Sequence, residues 1–211
     1  MCHALKVRWT VIPRTAPRPW IACGGCGAAR PFQASGKIRL NANGRRLDAW
    51  LIYQCAGCGG TWNRPIFERR KVRAIDPAVL AALQSNDPDW IRAETFNLDA
   101  LRRRSARIEE FPDVTVTKDL PRDTPGWTRL AIELIAPLPV STRLDRLLAS
   151  ELKLSRTRLQ ALHDGGALTT RCGRADALRR RIRTGTQVIL DLAGETDRER
   201  SWRALATGDG P

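Results

Sequence analysis

The chain has 211 residues, 42% hydrophobic content and a formal charge of +14. That apolar fraction supports packed cores and excludes a disordered polyelectrolyte, and no run of about 18 apolar residues exists for a membrane helix. The charge is uneven: residues 1–75 balance to +12, residues 76–136 to −3, residues 137–192 to +6 and the remainder to −1. Two basic blocks around an acidic middle suit a polyanion, of which nucleic acid is the commonest in cytoplasm. The opening residues hold no apolar run of signal-peptide length, so a cytoplasmic location is expected.

In chain order, "VRWTVI" (7–12) predicts a strand, and the Pro-rich "PRTAPRP" (13–19) leads extended into Cys23. "GKIRLNANGRRLDAWLIYQC" predicts a β-hairpin with Asn43-Gly44 as a type I′ turn. "TWNRPIF" (61–67) offers a third short strand. Asp76-Pro77 and Asp87-Pro88 each place an N-cap before a proline at the first helical position, and 97–108 predicts a further short helix. "DVTVTK" (113–118) and "WTRLAIELI" (127–135) look like paired strands, with a domain boundary at "APLP" (136–139).

Cys23, Cys26, Cys55 and Cys58 form two Cys-x-x-Cys pairs with 28 residues between them. Zn²⁺ takes four soft ligands in a tetrahedron, and each Cys-x-x-Cys turn presents two thiolates. Gly27 and Gly59 allow the tight turns and let backbone N–H groups face the sulfurs. The gap exceeds the simplest zinc pattern of about 15–20 residues, and the hairpin from Lys37 to Tyr53 accounts for the excess. A redox dithiol pair or an iron–sulfur cluster would need a βαβ context or a different spacing. Four thiolates leave no open position, so one structural zinc per chain is expected, with Arg30 and Arg64 as counter-charges. Cys2 and His3 are read as a frayed terminus, and Cys172 as a lone loop thiol.

Enzyme signals are sparse. The chain has two His residues, no phosphate-binding Walker loop and no dinucleotide fingerprint. A non-enzymatic protein with no small-molecule substrate is expected.

The C-terminal block predicts two short helices. Leu144, Leu147 and Leu148 form one apolar stripe, leaving Arg143 and Arg146 outside it. Ser155 caps the second helix, whose first turn carries Arg156 and Arg158. A helix N-terminus favours anions, so these groups predict a phosphate-binding face. The pieces "RLDRLLA", "SRTRLQ", "DGGAL" and "RIRTGTQVIL" of residues 141–192 resemble the small αL RNA-binding domain of ribosomal small-subunit protein four. The resemblance implies RNA contacts from Arg143, Ser155, Arg156 and Arg158. "TRCG" and Gly185-Thr186 depart from that domain's pattern. Separately, "SGKIRLNANGRRLDAWLIYQC" and its flanks resemble a bacterial family known as domain of unknown function 1062, which implies relatives and no activity.

Around the hairpin, Lys37, Arg39, Arg45 and Arg46 lie near Trp50, Tyr53 and Trp62 in sequence. Basic groups among aromatic faces suit RNA, whereas Trp50 and Tyr53 read better as core. The fold class expected is α+β: a zinc ribbon of small antiparallel sheet (1–75), an acidic mixed helical and strand middle (76–136), an αL-type RNA-binding domain (137–192) and a flexible tail (193–211). The expected function is binding of structured RNA, ribosomal or transfer, with RNA favoured over DNA and no membrane partner. The alternatives are a transcription-associated DNA-binding ribbon and an enzyme that docks substrate through these modules.

Overall fold

The computed structural model describes residues 3–171 and 176–208. Cys2 and Cys172 lie outside the described residues. In chain order the elements are β1 (Ala4–Pro13), β2 (Arg18–Cys23), β3 (Ala28–Asn43), β4 (Arg46–Cys55), β5 (Thr61–Lys71), α1 (Pro77–Ser85), α2 (Pro88–Thr95) and α3 (Leu98–Arg102). They continue with β6 (Ile108–Glu109), β7 (Val114–Arg122), β8 (Arg129–Ile135), α4 (Leu144–Glu151), α5 (Arg156–Asp164), β9 (Leu168–Thr170), β10 (Thr186–Asp191) and α6 (Arg203–Thr207). The chain is mixed α and β, and it divides into two units: residues 1–14 with 112–211, and residues 15–111.

The first unit is a five-stranded sheet in the order β7-β1-β8-β10-β9. β1 sits inside it, antiparallel to β7 and parallel to β8. Strict alternation buries Leu5, Val7, Trp9 and Val11 on one face, where they meet Leu130, Ile132 and Leu134 of β8. Leu144, Leu147 and Leu148 of α4 and Leu159 of α5 join that same core. Two expectations change here. β7 and β8 do not pair with each other, because the apolar stripe of β1 takes the place between them. The boundary at 136–139 lies within a unit, because the helices after it close over the sheet before it. The expected free tail is also anchored through residue 208. Trp9 Nε1 donates to the Ala206 carbonyl at 2.8 Å, and Arg198 donates to the carbonyls of Leu192, Ala193 and Glu195.

Residues 15–111 form the second unit, a five-stranded sheet in the order β5-β4-β3-β2-β6. The helices of the acidic region belong to this unit. Leu83, Ile91 and Leu101 pack with Phe32, Ile38, Leu51 and Tyr53 in one core. The three helix starts follow the sequence reading. Asp76 accepts from the Ala78 and Val79 N–H groups, Asp87 from Trp90, and Asn97 from Ala100. α3 ends at Arg102, and the Ser105 hydroxyl then donates to the Trp20 and Arg107 carbonyls, turning the chain into β6. At the β3–β4 hairpin, Asn43 pairs with Arg46, so the loop is Gly44-Arg45. Only Gly44 of these has positive φ (59°), the type II′ pattern of glycine at the first central position.

Candidate metal centre and basic surfaces

Cys23 and Cys55 end β2 and β4, and Cys26 and Cys58 lie in the turns that follow. Both turns close alike: Gly27 N–H donates to the Cys23 carbonyl and Gly59 N–H to the Cys55 carbonyl, each at 2.9 Å. The closing glycines have φ of 66° and 73°, a region that penalises any Cβ. Pairing of Phe32 with Cys55, and the Ala56 N–H bond to the Pro31 carbonyl, bring the two turns together. All four sulfurs lie within 4.8 Å of one another. Cys23 and Cys58 Sγ are 3.4 Å apart and Cys26 and Cys55 Sγ 3.8 Å, beyond any disulfide bond of about 2.05 Å.

Glycines also make room for the sulfur cluster. A Cβ on Gly25 would lie 3.1 Å from Cys58 Sγ, and one on Gly60 would lie 3.3 Å from it. The electrostatics are graded. The backbone N–H of Cys58, aided by that of Gly57, holds the Cys55 thiol down at about 6 against the opposing effect of burial. Cys26 is pushed up to about 12, first by its hydrogen bond to Cys58, then by burial and its other cysteine neighbours. Without metal, the Cys55 thiolate forms readily while Cys26 retains its proton. The four cysteines can together hold a metal ion.

Arg64 does not serve as a counter-charge to the sulfurs. Its side chain is 1% exposed and donates to the Glu94 carboxylate at 2.8 Å and the Glu94 carbonyl at 3.1 Å. It also lies 5.9 Å from the centre of the Tyr53 ring, whose phenol burial pushes up to about 12. Arg30 is exposed on β3. Tyr53 is fully buried as expected, whereas Trp50 is half-buried, with the Arg39 guanidinium 6.0 Å from its ring centre and Glu68 accepting from its Nε1. Trp50 faces outward because alternation along β4 gives the inward positions to Ala49, Leu51 and Tyr53.

The basic side chains sort into two groups. On the first unit, Ser155 Oγ accepts the Arg158 N–H at 3.0 Å, and Arg156 and Arg158 project exposed from the first turn of α5. Arg158 reaches Glu195 at 3.6 Å and Arg146 reaches Asp113 at 3.7 Å, while Arg156 has no ion pair among the described residues. Arg143 pairs with Asp145 at 2.6 Å and is about half exposed. A cleft of about 640 Å³ beside α4 is lined by Arg180, Arg181 and Arg183 with Leu144, Thr170 and Thr186. On the second unit, Lys37 and Arg39 are exposed along β3, and Arg45 and Arg46 stand at the hairpin end. There they meet Lys71 and Arg73 around a cleft of about 660 Å³. The third strand expected over 61–67 stops short of these residues. The missed signal was strand length: β5 continues to Lys71, which pairs with Arg46.

A family model described as protein of unknown function (DUF1062) matches residues 40–173, more than half of the chain. The chain belongs to this family. The matched region takes in Cys55 and Cys58 and begins after Cys23 and Cys26. No curated protein and no solved structure matches the chain.

Proposed function

We propose that this family member is a non-enzymatic, zinc-containing RNA-binding protein. Zn²⁺ suits the cysteine cluster on two counts. A zinc–sulfur bond of about 2.3 Å gives a tetrahedral sulfur–sulfur edge of about 3.8 Å. The paired sulfurs stand at 3.4 and 3.8 Å, close to that edge. Four thiolates also close the shell, so the zinc has no position for substrate and fastens the β2–β3 turn to the β4–β5 turn. It supplies folding energy to a unit whose buried core is small. Thiol ligands need a reducing compartment, which favours the cytoplasm. Among the described residues no helix is long and apolar enough to cross a membrane.

The RNA reading rests on one observation above others: α5 starts at a capped N-terminus flanked by exposed Arg156 and Arg158. Helix amides and arginine forks aimed at solvent recognise phosphate. The α4–α5 pair followed by β9 and β10 supports the αL-type reading, whose RNA-facing groups are Arg143, Ser155, Arg156 and Arg158, with Arg146 beside them. The hairpin cations Lys37, Arg39, Arg45 and Arg46 contribute further phosphate contacts.

The test is a salt titration of labelled structured RNA with wild type and Arg156→Ala/Arg158→Ala. Each lost contact lowers the log–log salt slope by about 0.7–0.9, so the double variant should flatten it by roughly 1.5. Both side chains are exposed, so stability should move by about 0.5 kcal/mol or less. An unchanged slope in a folded variant would remove α5 from the interface. Tighter binding to duplex DNA of equal length would support the transcription-associated alternative.

A further inference from the structure

The cations at the far end of the ribbon lack local counter-ions. Arg45, Arg46, Arg69, Arg70, Lys71 and Arg73 are all exposed, and none has an ion-pair partner among the described residues. The two nearby acids are engaged elsewhere. Asp48 accepts from the Arg69 backbone N–H, and Glu68 accepts from Trp50 Nε1. The arrangement is held by backbone. Arg46 pairs with Lys71 across β4–β5, and Val72 N–H donates to the Arg45 carbonyl at 3.1 Å. Six positive groups are therefore concentrated on strand ends that the sheet fixes.

The lining of the cleft is chemically one-sided. It consists of Gly44, Arg45, Arg46, Lys71, Val72 and Arg73, so its side chains offer donors or apolar surface and no acceptor. Reading base edges in general needs acceptors as well as donors, because adenine and cytosine present amino groups. Phosphate oxygens need donors only. Val72, 38% exposed at this spot, gives an apolar surface against which a sugar or base face can rest.

We propose that this ribbon end is a second RNA contact, a clamp for the sugar–phosphate backbone that is indifferent to sequence. The proposal rests on the reading of the chain as an RNA binder and adds Arg69, Arg70, Lys71 and Arg73 to it. Because this surface and α5 lie on different units, the protein engages RNA at two places. The second contact then forms at the effective concentration set by the first.

The experiment uses the full-length, zinc-loaded chain carrying Arg45→Ala, Arg46→Ala, Lys71→Ala and Arg73→Ala. Binding to labelled oligouridine and to a mixed-sequence RNA strand of equal length is followed by anisotropy across salt. Losing four contacts at about 0.7 each should lower the salt slope by about 3, shrinking the affinity drop between about 50 and 200 mM salt by roughly 50-fold. The two strands should bind within about twofold of each other. If the fourfold variant does not fold, Arg45→Gln with Lys71→Gln should lower the slope by about 1.4. An unchanged slope in either folded variant overturns the proposal. So does a tenfold preference between strands, or wild-type binding to phosphatidylserine vesicles with none to RNA. The Arg156/Arg158 variant runs alongside. A slope that falls only with the ribbon variants supports the clamp and rejects the α5 face, and the reverse outcome rejects the clamp alone.

Discussion

Replacing Glu94 with Gln removes the charge opposite Arg64 while nearly preserving shape. Arg64 has a side chain 1% exposed, and only its Nη2 has hydrogen-bond partners among the described residues, both on Glu94. Leaving a buried charge without its partner costs about 3–5 kcal/mol, and the Gln carbonyl retains part of the contact, so about 3 kcal/mol is expected. For a unit of 97 residues, residues 15–111, that shifts the midpoint by on the order of 15 °C. Arg64→Met combined with Glu94→Gln removes both charges together with their desolvation penalty, and should stay within about 1 kcal/mol of wild type. Calorimetry of zinc-loaded protein measures both, with urea unfolding as a check. If Glu94→Gln melts with wild type, or the double variant falls as far as Glu94→Gln alone, the reasoning about this ion pair is wrong.

Metal analysis should find one zinc per chain, and Cys55→Ser should abolish the unfolding transition of residues 15–111 while the other unit keeps a transition of its own. Gly25→Ala would place a Cβ 3.1 Å from Cys58 Sγ, whereas Gly24→Ala meets nothing within 4 Å. Competition with a chromophoric chelator should show zinc weakened by about tenfold or more in the first and unchanged in the second. Zinc affinity should climb between about pH 6 and pH 8, because Cys26, held as a thiol up to about 12, must release its proton to ligate. In metal-free protein the depressed Cys55 thiol acts in the same direction: its stabilising contribution is fully present above about 9 and is lost as pH falls through about 6. A pH-independent affinity with no proton release would contradict the thiolate cluster.

Local chemistry was readable wherever one residue decides a local geometry. Asp76, Asp87 and Ser155 cap the helices they were expected to cap, and the two cysteine pairs meet as their spacing implied. Long-range pairing was not readable. Nothing in "VRWTVI" says that its neighbours are strands more than a hundred residues away, since alternation reports which face is buried and not the partner strand. Arg64 misled for a related reason. Its place beside a knuckle in sequence suggested service to the sulfurs, whereas the pleat turns it toward Glu94 of α2. The basic end of the β4–β5 pair was only half legible, because Arg45 and Arg46 declared themselves at a turn while Lys71 and Arg73 depended on how far β5 runs.

Residues 15–111 enter and leave between two adjacent strands, since Arg14 N–H bonds the Asp113 carbonyl at 3.0 Å beside the pairing of Pro13 with Val114. While that insert is folded, its ends are already side by side, and joining β1 to β7 costs little loop entropy. Once the insert unfolds, the same pairing must close a loop of 97 residues, which costs about 4 kcal/mol as (3/2)RT ln n. The sheet carrying α5 is weakened by that amount without any side chain of its own being changed. On the proposed zinc and RNA-binding reading, loss of the ion would therefore act on the arginines of the other unit through chain connectivity, as an entropic load on RNA binding.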